Sequence, residues 1–197
     1  MGRAGGLGVA EKVGSVVGLK PVAERLTLIT SSLPNRSHLL AEMQASVAAQ
    51  TVLPAAHLIV IDEGPVVSKL KRLEAMVDTE YWCQVDDDDL LYPNHVEVLS
   101  SNLDADVVWT WCDVTGRAWN PNQGYQPGVL QSRNYIPANY AGRAAKLREV
   151  GGNIETHGGD FHDWNLLRRL EANGATFKNV PIVTWQYRFG VSRNSSQ

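Results

Sequence analysis

The sequence predicts an α/β fold: a mostly parallel sheet flanked by helices, built as a single compact domain. Three observations carry that expectation. Short β-type apolar runs alternate with segments of helical period between residues 26 and 85, the pattern of strand-helix-strand units. Residues 57–61 (HLIVI) are almost continuously apolar, as a strand covered on both faces of a parallel sheet must be. Each run ends in a cluster of polar turn residues, so right-handed crossovers would bring those ends together along one edge.

The first strand is read at residues 26–30 (LTLIT), closing in the turn SSLPN. Ser37 is placed to cap a helix reaching about Gln50, in which Leu39, Met43 and Val47 recur every four residues and Leu40 widens the stripe. Pro54 is expected to end that connection. The second strand, 57–61, runs into Asp62-Glu63-Gly64, and a helix over 69–77 leads to a third strand, 81–85 (YWCQV), which feeds four consecutive aspartates at 86–89. Pro93 and Asn94 open a helix near Val96, and 106–114 reads as another strand. Residues 116–128 are polar and rich in Pro and Gly, so a long loop is expected there. An apolar turn at 135–137 follows, then a helix over 143–150 stopped by Gly151-Gly152, a helix over 164–172 and a last strand at 182–187, after which the C-terminus is short. Trp109 and Trp111 alternate along one strand and are expected to pack in the core, as are Trp82 and Trp185.

A chain of 197 residues with 44% hydrophobic and 20% charged residues can bury one sizeable core. The formal charge of -3 gives no electrostatic footprint for nucleic acid. Cys83 and Cys112 fall on separate strands without metal-type spacing, so reduced, buried thiols and a cytoplasmic setting are expected. No segment approaches the roughly 18 apolar residues of a membrane span. The Gly-rich opening has neither a preceding strand nor the G-x-G-x-x-G spacing, and Glu11 and Lys12 interrupt any signal-peptide core. Residues 1–24 are read as a mobile arm and 191–197 as a tail.

The run of Asp86, Asp87, Asp88 and Asp89 at the end of an apolar strand is the chemical centre of the sequence. Two unit charges about 4 Å apart interact by about 4 kcal/mol at an effective dielectric near 20, so a half-buried Asp cluster repels itself. A cation removes the repulsion. Hard carboxylate oxygens suit Mg²⁺, Mn²⁺ or Ca²⁺, and Mg²⁺ or Mn²⁺ is commonly held by one or two carboxylates while substrate phosphates complete the shell. The competing reading is a solvated turn that caps the next helix. Position favours a site, because ligands of open α/β sheets gather outside the carboxyl ends of strands.

Five segments taken in order resemble the nucleotide-sugar glycosyltransferases of the Rossmann-like GT-A fold, in particular the inverting family 2 enzymes. They are ITSSLPNR, IVIDEGP, VDDDDLLYPN, IPANYAGRAAKLREVGG and HDWNLLRRL, spanning about residues 26 to 188. The resemblance implies a domain over 25–190, with a nucleotide-binding half at 25–115 and an acceptor and catalytic half at 116–190. It implies a D-x-D pair, Asp86 and Asp88, holding Mn²⁺ or Mg²⁺, with Asp87 or Asp86 reaching the ribose. Thr30, Ser31, Asp62 and Glu63 fall where such enzymes hold base and ribose, and Lys69 falls near a diphosphate contact. Glu63 stands where Asp is common. Asp163 matches the expected catalytic base, while His162 replaces a Glu beside it.

The resemblance therefore implies a metal-dependent inverting transfer of sugar from a nucleoside-diphosphate donor, UDP-linked by resemblance alone, to a hydroxyl of a glycan, protein or small molecule. Asp163 would take the acceptor proton, and Asp160 is a rival for that role. Trp164, Asn139, Trp119 and Tyr125 are candidates for orienting sugar or acceptor, since aromatic faces suit pyranose rings. Asp163 could equally be a helix-start acid favoured by the macrodipole. A nucleotidylyltransferase would carry a G-x-G-T-R-L-like segment after the first strand, where this chain has TSSLPNR, and a haloacid dehalogenase-type phosphatase would not place Leu90 at the end of its Asp motif. A noncatalytic nucleotide- or carbohydrate-binding domain of the same fold is the alternative.

Overall fold

The computed structural model describes residues 20–116, 118–156 and 161–191. The first half consists of β1 (Val22–Ser32), α1 (Ser37–Ala48), β2 (Leu53–Ile61), α2 (Val66–Met76) and β3 (Tyr81–Gln84). There follow β4 (Leu90–Leu91), α3 (His95–Ser100), β5 (Val107–Thr115), β6 (Tyr140–Arg143), α4 (Ala144–Glu149), α5 (His162–Ala172) and β7 (Phe177–Arg188). All seven strands form one sheet in the order β2-β1-β3-β6-β5-β7-β4. The pairs β1/β2, β1/β3 and β5/β7 are parallel, while β6 runs antiparallel between β3 and β5, and β4 antiparallel to β7. The pairings of β1, β2 and β3 are thus parallel as expected, and the mixed character enters with β6 and β4.

Alternation along β1 sends Leu28 to one face and Ile29 to the other, so the sheet divides two apolar layers. On the first face Leu40 and Met43 of α1 and Val96 and Leu99 of α3 pack with Leu28, Val108 and Trp185. On the second, Leu70 and Leu73 of α2, Leu147 of α4 and Leu166, Leu167 and Leu170 of α5 pack with Ile29, Trp82 and Trp109. Trp109, Trp185 and Trp82 are buried as expected, and Trp111 is half-buried. Cys83 and Cys112 are free and buried.

Several boundaries differ from the sequence reading. β1 begins at Val22, so residues 22–24 of the expected arm are strand, and Val22 and Ala23 pair with Leu53 and Pro54. Residues 1–19 and 192–197 lie outside the described residues. Pro54 sits inside β2, which is tolerated because β2 is an edge strand and its missing N–H costs no ladder bond on the open side. Ser37 caps nothing: the 3₁₀ turn Pro34–Arg36 delivers Ser37 already in helical conformation, and the N-cap position belongs to Arg36. Gly151 and Gly152 stop α4 with φ of 85° and 62°. β6 lacks a sequence signature because it is only four residues long and contains Gly142, where a Cβ would lie 2.7 Å from Leu147 Cδ1. Glycine there lets α4 close onto the sheet. No helix among the described residues is long and apolar enough to cross a membrane.

Candidate active site

The carboxyl ends of β1, β2 and β3 meet as the parallel pairing requires, and the aspartate run leaves β3 at that edge. Its four members alternate. Asp87 and Asp89 are buried, at 2% and 3% exposure, whereas Asp86 and Asp88 are partly exposed. The D-x-D pair is therefore the open pair, and the intervening residues serve the protein.

Asp87 accepts a hydrogen bond from Ser32 Oγ at 2.5 Å and lies 2.6 Å from Arg36 Nη2. Burial pushes its carboxyl up, and Ser32 and Arg36 hold it down. Asp89 accepts from the Arg188 backbone N–H at 3.2 Å; burial dominates and raises its carboxyl well above the usual range. Arg188 also donates through Nε to the Asp88 carbonyl and lies 2.5 Å from Glu42. Asp88 pairs with Arg36 at 2.8 Å. Part of the positive charge that the sequence demands is thus supplied by two arginines, from the turn after β1 and the end of β7.

Asp86 accepts from Gln84 Nε2 at 2.9 Å. Burial first, then the Asp88 charge, push its carboxyl up to about 6, and Asp163 adds to the rise while Gln84 and His162 oppose it. Asp163 stands in the first turn of α5, half-buried, its carboxyl also raised by burial and lowered by His162. Asp163, His162 and the D-x-D pair therefore share one electrostatic neighbourhood. Asp160 and His157 lie outside the described residues.

Other positions differ from their sequence reading. Thr30 is fully buried: its hydroxyl donates to the Val85 carbonyl at 2.9 Å, so it accepts from His57 Nε2, also at 2.9 Å. That side chain braces the strand under Asp86 and does not face the edge. Ser31, Asp62 and Glu63 are accessible, with Asp62 Oδ1 accepting from Gly64 N at 2.8 Å and Oδ2 pairing with Arg72. Lys69, expected near the diphosphate, is 3% exposed and donates to the carbonyls of Ser32 and Asp62 at 3.0 Å each. It ties β1 to β2, and burial holds its pKa down. Asn139 is 2% exposed and its Oδ1 accepts from Cys83 Sγ at 3.1 Å, an internal strut in place of a sugar contact. Trp164 donates Nε1–H to the Leu130 carbonyl at 2.7 Å, with Arg168 stacked 5.4 Å over its ring, so its polar tip anchors the turn Val129–Gln131. Tyr125 stacks on Phe177 at 4.6 Å and donates to Glu171, whereas Trp119 meets Tyr187 edge-on at 5.3 Å.

Among the described residues no group of three or more His, Cys, Asp or Glu side chains is arranged to hold a metal. Two partly exposed carboxylates, Asp86 and Asp88, remain. They fit a hard divalent ion whose shell is finished by phosphate, and the burial and the Asp88 charge that together raise the Asp86 carboxyl are penalties that such an ion would relieve. Sequence reasoning missed Ser32, Arg36, His57, Gln84 and Arg188. Arg36 closes the segment ITSSLPNR, but its pairing with residues more than fifty positions away has no local signature.

The sheet and its flanking helices form a GT-A-like fold, shared with solved structures of low sequence identity. The structure matches S. aureus TarS 1-349 with TM-score 0.68 at 12% identity, over 83% of this chain and 60% of that one. The same protein in complex with UDP-GlcNAc matches with TM-score 0.64 at 13% identity, over 83% and 58%. The mannosyltransferase PcManGT from Pyrobaculum calidifontis, in complex with GDP-Man and Mn²⁺, matches with TM-score 0.56 at 14% identity, over 82% and 56%. The chain thus covers about three-fifths of the length of these proteins. No protein-family model and no curated sequence matches it.

Proposed function

We propose that this chain is a metal-dependent inverting glycosyltransferase that moves a sugar from a nucleoside-diphosphate donor to an acceptor hydroxyl. The observation that carries the reading is the partly exposed pair Asp86 and Asp88 at the end of β3, with Asp86 in electrostatic contact with Asp163 at the start of α5. Residues 25–115 would hold the donor, with Ser31, Asp62 and Glu63 open to base and ribose, and 116–190 the acceptor. Asp86 and Asp88 would hold Mn²⁺ or Mg²⁺, which neutralises the diphosphate leaving group.

Asp163 supplies the base. Its raised carboxyl is a stronger proton acceptor than an exposed aspartate, and the neighbouring His162 opposes part of the rise that burial causes. Attack from the face opposite the diphosphate inverts the anomeric carbon. The presence of UDP-GlcNAc and GDP-Man in the complexes of the similar structures makes uridine and guanosine donors the first to test.

The test is calorimetric binding of UDP, GDP, TDP and CDP, each with Mn²⁺ and with chelator, to wild type and to Asp88→Ala. Binding of one nucleotide is expected, and its Mn²⁺-dependent part is expected to vanish in Asp88→Ala. No binding across the panel would sink the proposal. The noncatalytic alternative draws support from the Arg36 pairing with Asp88, which already neutralises one metal ligand; nucleotide binding without turnover in any acceptor screen would favour it. Trp119→Ala is expected to raise acceptor KM severalfold with donor affinity unchanged, and an unchanged KM would remove this side chain from the acceptor site.

A further inference from the structure

We infer that Arg36 is an exchangeable counter-ion that holds Asp88 in the absence of donor and passes to the donor's diphosphate when a metal ion takes Asp88. This inference rests on the reading of Asp86 and Asp88 as the metal pair. One nitrogen, Nη2, bridges two carboxylates, at 2.6 Å from Asp87 and 2.8 Å from Asp88. Neither contact has hydrogen-bond geometry, since Nη2 is buried without a hydrogen-bond partner among the described residues, and Nε of the same guanidinium is likewise buried and without an acceptor there. The attachment is therefore Coulombic and undirected, and the group retains donor capacity that the protein does not use.

The two carboxylates differ in what they would lose. Asp87 keeps Ser32 Oγ at 2.5 Å if Arg36 departs, whereas no second side chain among the described residues pairs with the Asp88 carboxylate. A divalent ion on Asp86 and Asp88 replaces the charge that Arg36 supplies there and repels the guanidinium. Arg36 lies in the turn Pro34–Arg36 with its side chain 19% exposed, at the same edge where the diphosphate would meet that ion. Bidentate pairing with diphosphate oxygens would satisfy the idle N–H groups. Metal and nucleotide would consequently bind with positive coupling, each favouring the arrangement that the other needs.

The experiment titrates Mn²⁺ alone, and then UDP and GDP at saturating Mn²⁺, into wild type, Arg36→Gln and Arg36→Lys, with Mn²⁺ followed by its electron paramagnetic resonance signal and nucleotide by calorimetry. Arg36→Gln is expected to bind Mn²⁺ alone severalfold tighter than wild type and nucleotide about tenfold weaker, the loss of one charge-assisted contact. Arg36→Lys is expected to restore weak Mn²⁺ binding while recovering only part of the nucleotide affinity. Weakening of both ligands in Arg36→Gln would mean that Arg36 merely props the aspartate run and would overturn the inference, as would affinities that do not change. Wild type that binds neither Mn²⁺ nor nucleotide would overturn both the inference and the glycosyltransferase reading. Wild type that binds both, with Arg36 variants indifferent, would remove the inference alone.

Discussion

Asp163→Asn is expected to lower turnover by roughly 10²–10⁴-fold, the usual contribution of a general base, while leaving nucleotide and Mn²⁺ affinity within about twofold of wild type. The amide keeps the shape of the side chain at the first turn of α5 but cannot take a proton. The separation of effects decides the role. If Asp163 were only a helix-start acid, its loss would lower the melting temperature slightly and leave turnover in place. Burial raises the Asp163 carboxyl, so wild-type activity should fall as pH drops through that raised value, when the base becomes protonated. A variant with normal turnover would move the role elsewhere, Asp160 being the nearest carboxylate in sequence.

His57→Gln is expected to abolish an acid-sensitive contribution to stability of about 3 kcal/mol, at roughly 1.36 kcal/mol for each pH unit by which folding displaces a pKa. His57 is 4% exposed, and burial lowers its pKa from 6.5 to about 4. The folded protein thus keeps the ring neutral where the unfolded chain would protonate it. The stability this preserves is present above about pH 6.5 and is lost as pH falls toward 4. His95, buried and lowered to about 3, acts with the same sign. Asp86, raised to about 6, acts oppositely, since its folded form gains protons first on acidification.

Comparing urea unfolding of wild type and His57→Gln at about pH 7 and pH 4 isolates the histidine. The wild type should lose about 3 kcal/mol relative to the variant over that interval. Parallel pH curves would show that the ring is not held neutral. Glutamine retains an N–H for Thr30, so the brace beneath Val85 persists in the variant and the aspartate run stays supported.

What is legible in the sequence follows the reach of each signal. The 57–61 run and the stripe of Leu39, Met43 and Val47 are local and periodic, and they place β2 and α1 correctly in kind. The need for a counter-charge at the aspartate run is legible because four adjacent like charges at a strand end are costly to gather without one, and Arg36 supplies part of it. Thr30, Lys69 and Asn139 fall at site positions by their places in the chain, but each sits one residue or one turn inside the open surface and spends its polar atoms on the backbone or the core. Whether a side chain beside a strand end faces out or in depends on partners contributed by other elements, which periodicity does not encode. β4, at two residues, is set by its pairing with Trp185 and Gln186 and has no pattern of its own.

The inside-outside alternation of the aspartate run makes its spacing as consequential as its composition. Deleting any one of the four residues leaves the same acidic tripeptide, DDD. Yet the chain is fastened on both sides, upstream where β3 pairs with β1 and downstream where Leu90 pairs with Gln186. A shortened run would have to exchange which carboxylates are partly exposed or pull β4 off β7. The segment therefore tolerates substitution at individual positions far better than a change of reading length, and any homologous sequence with a gap between Val85 and Leu90 would have had to rebuild the cradle from other residues.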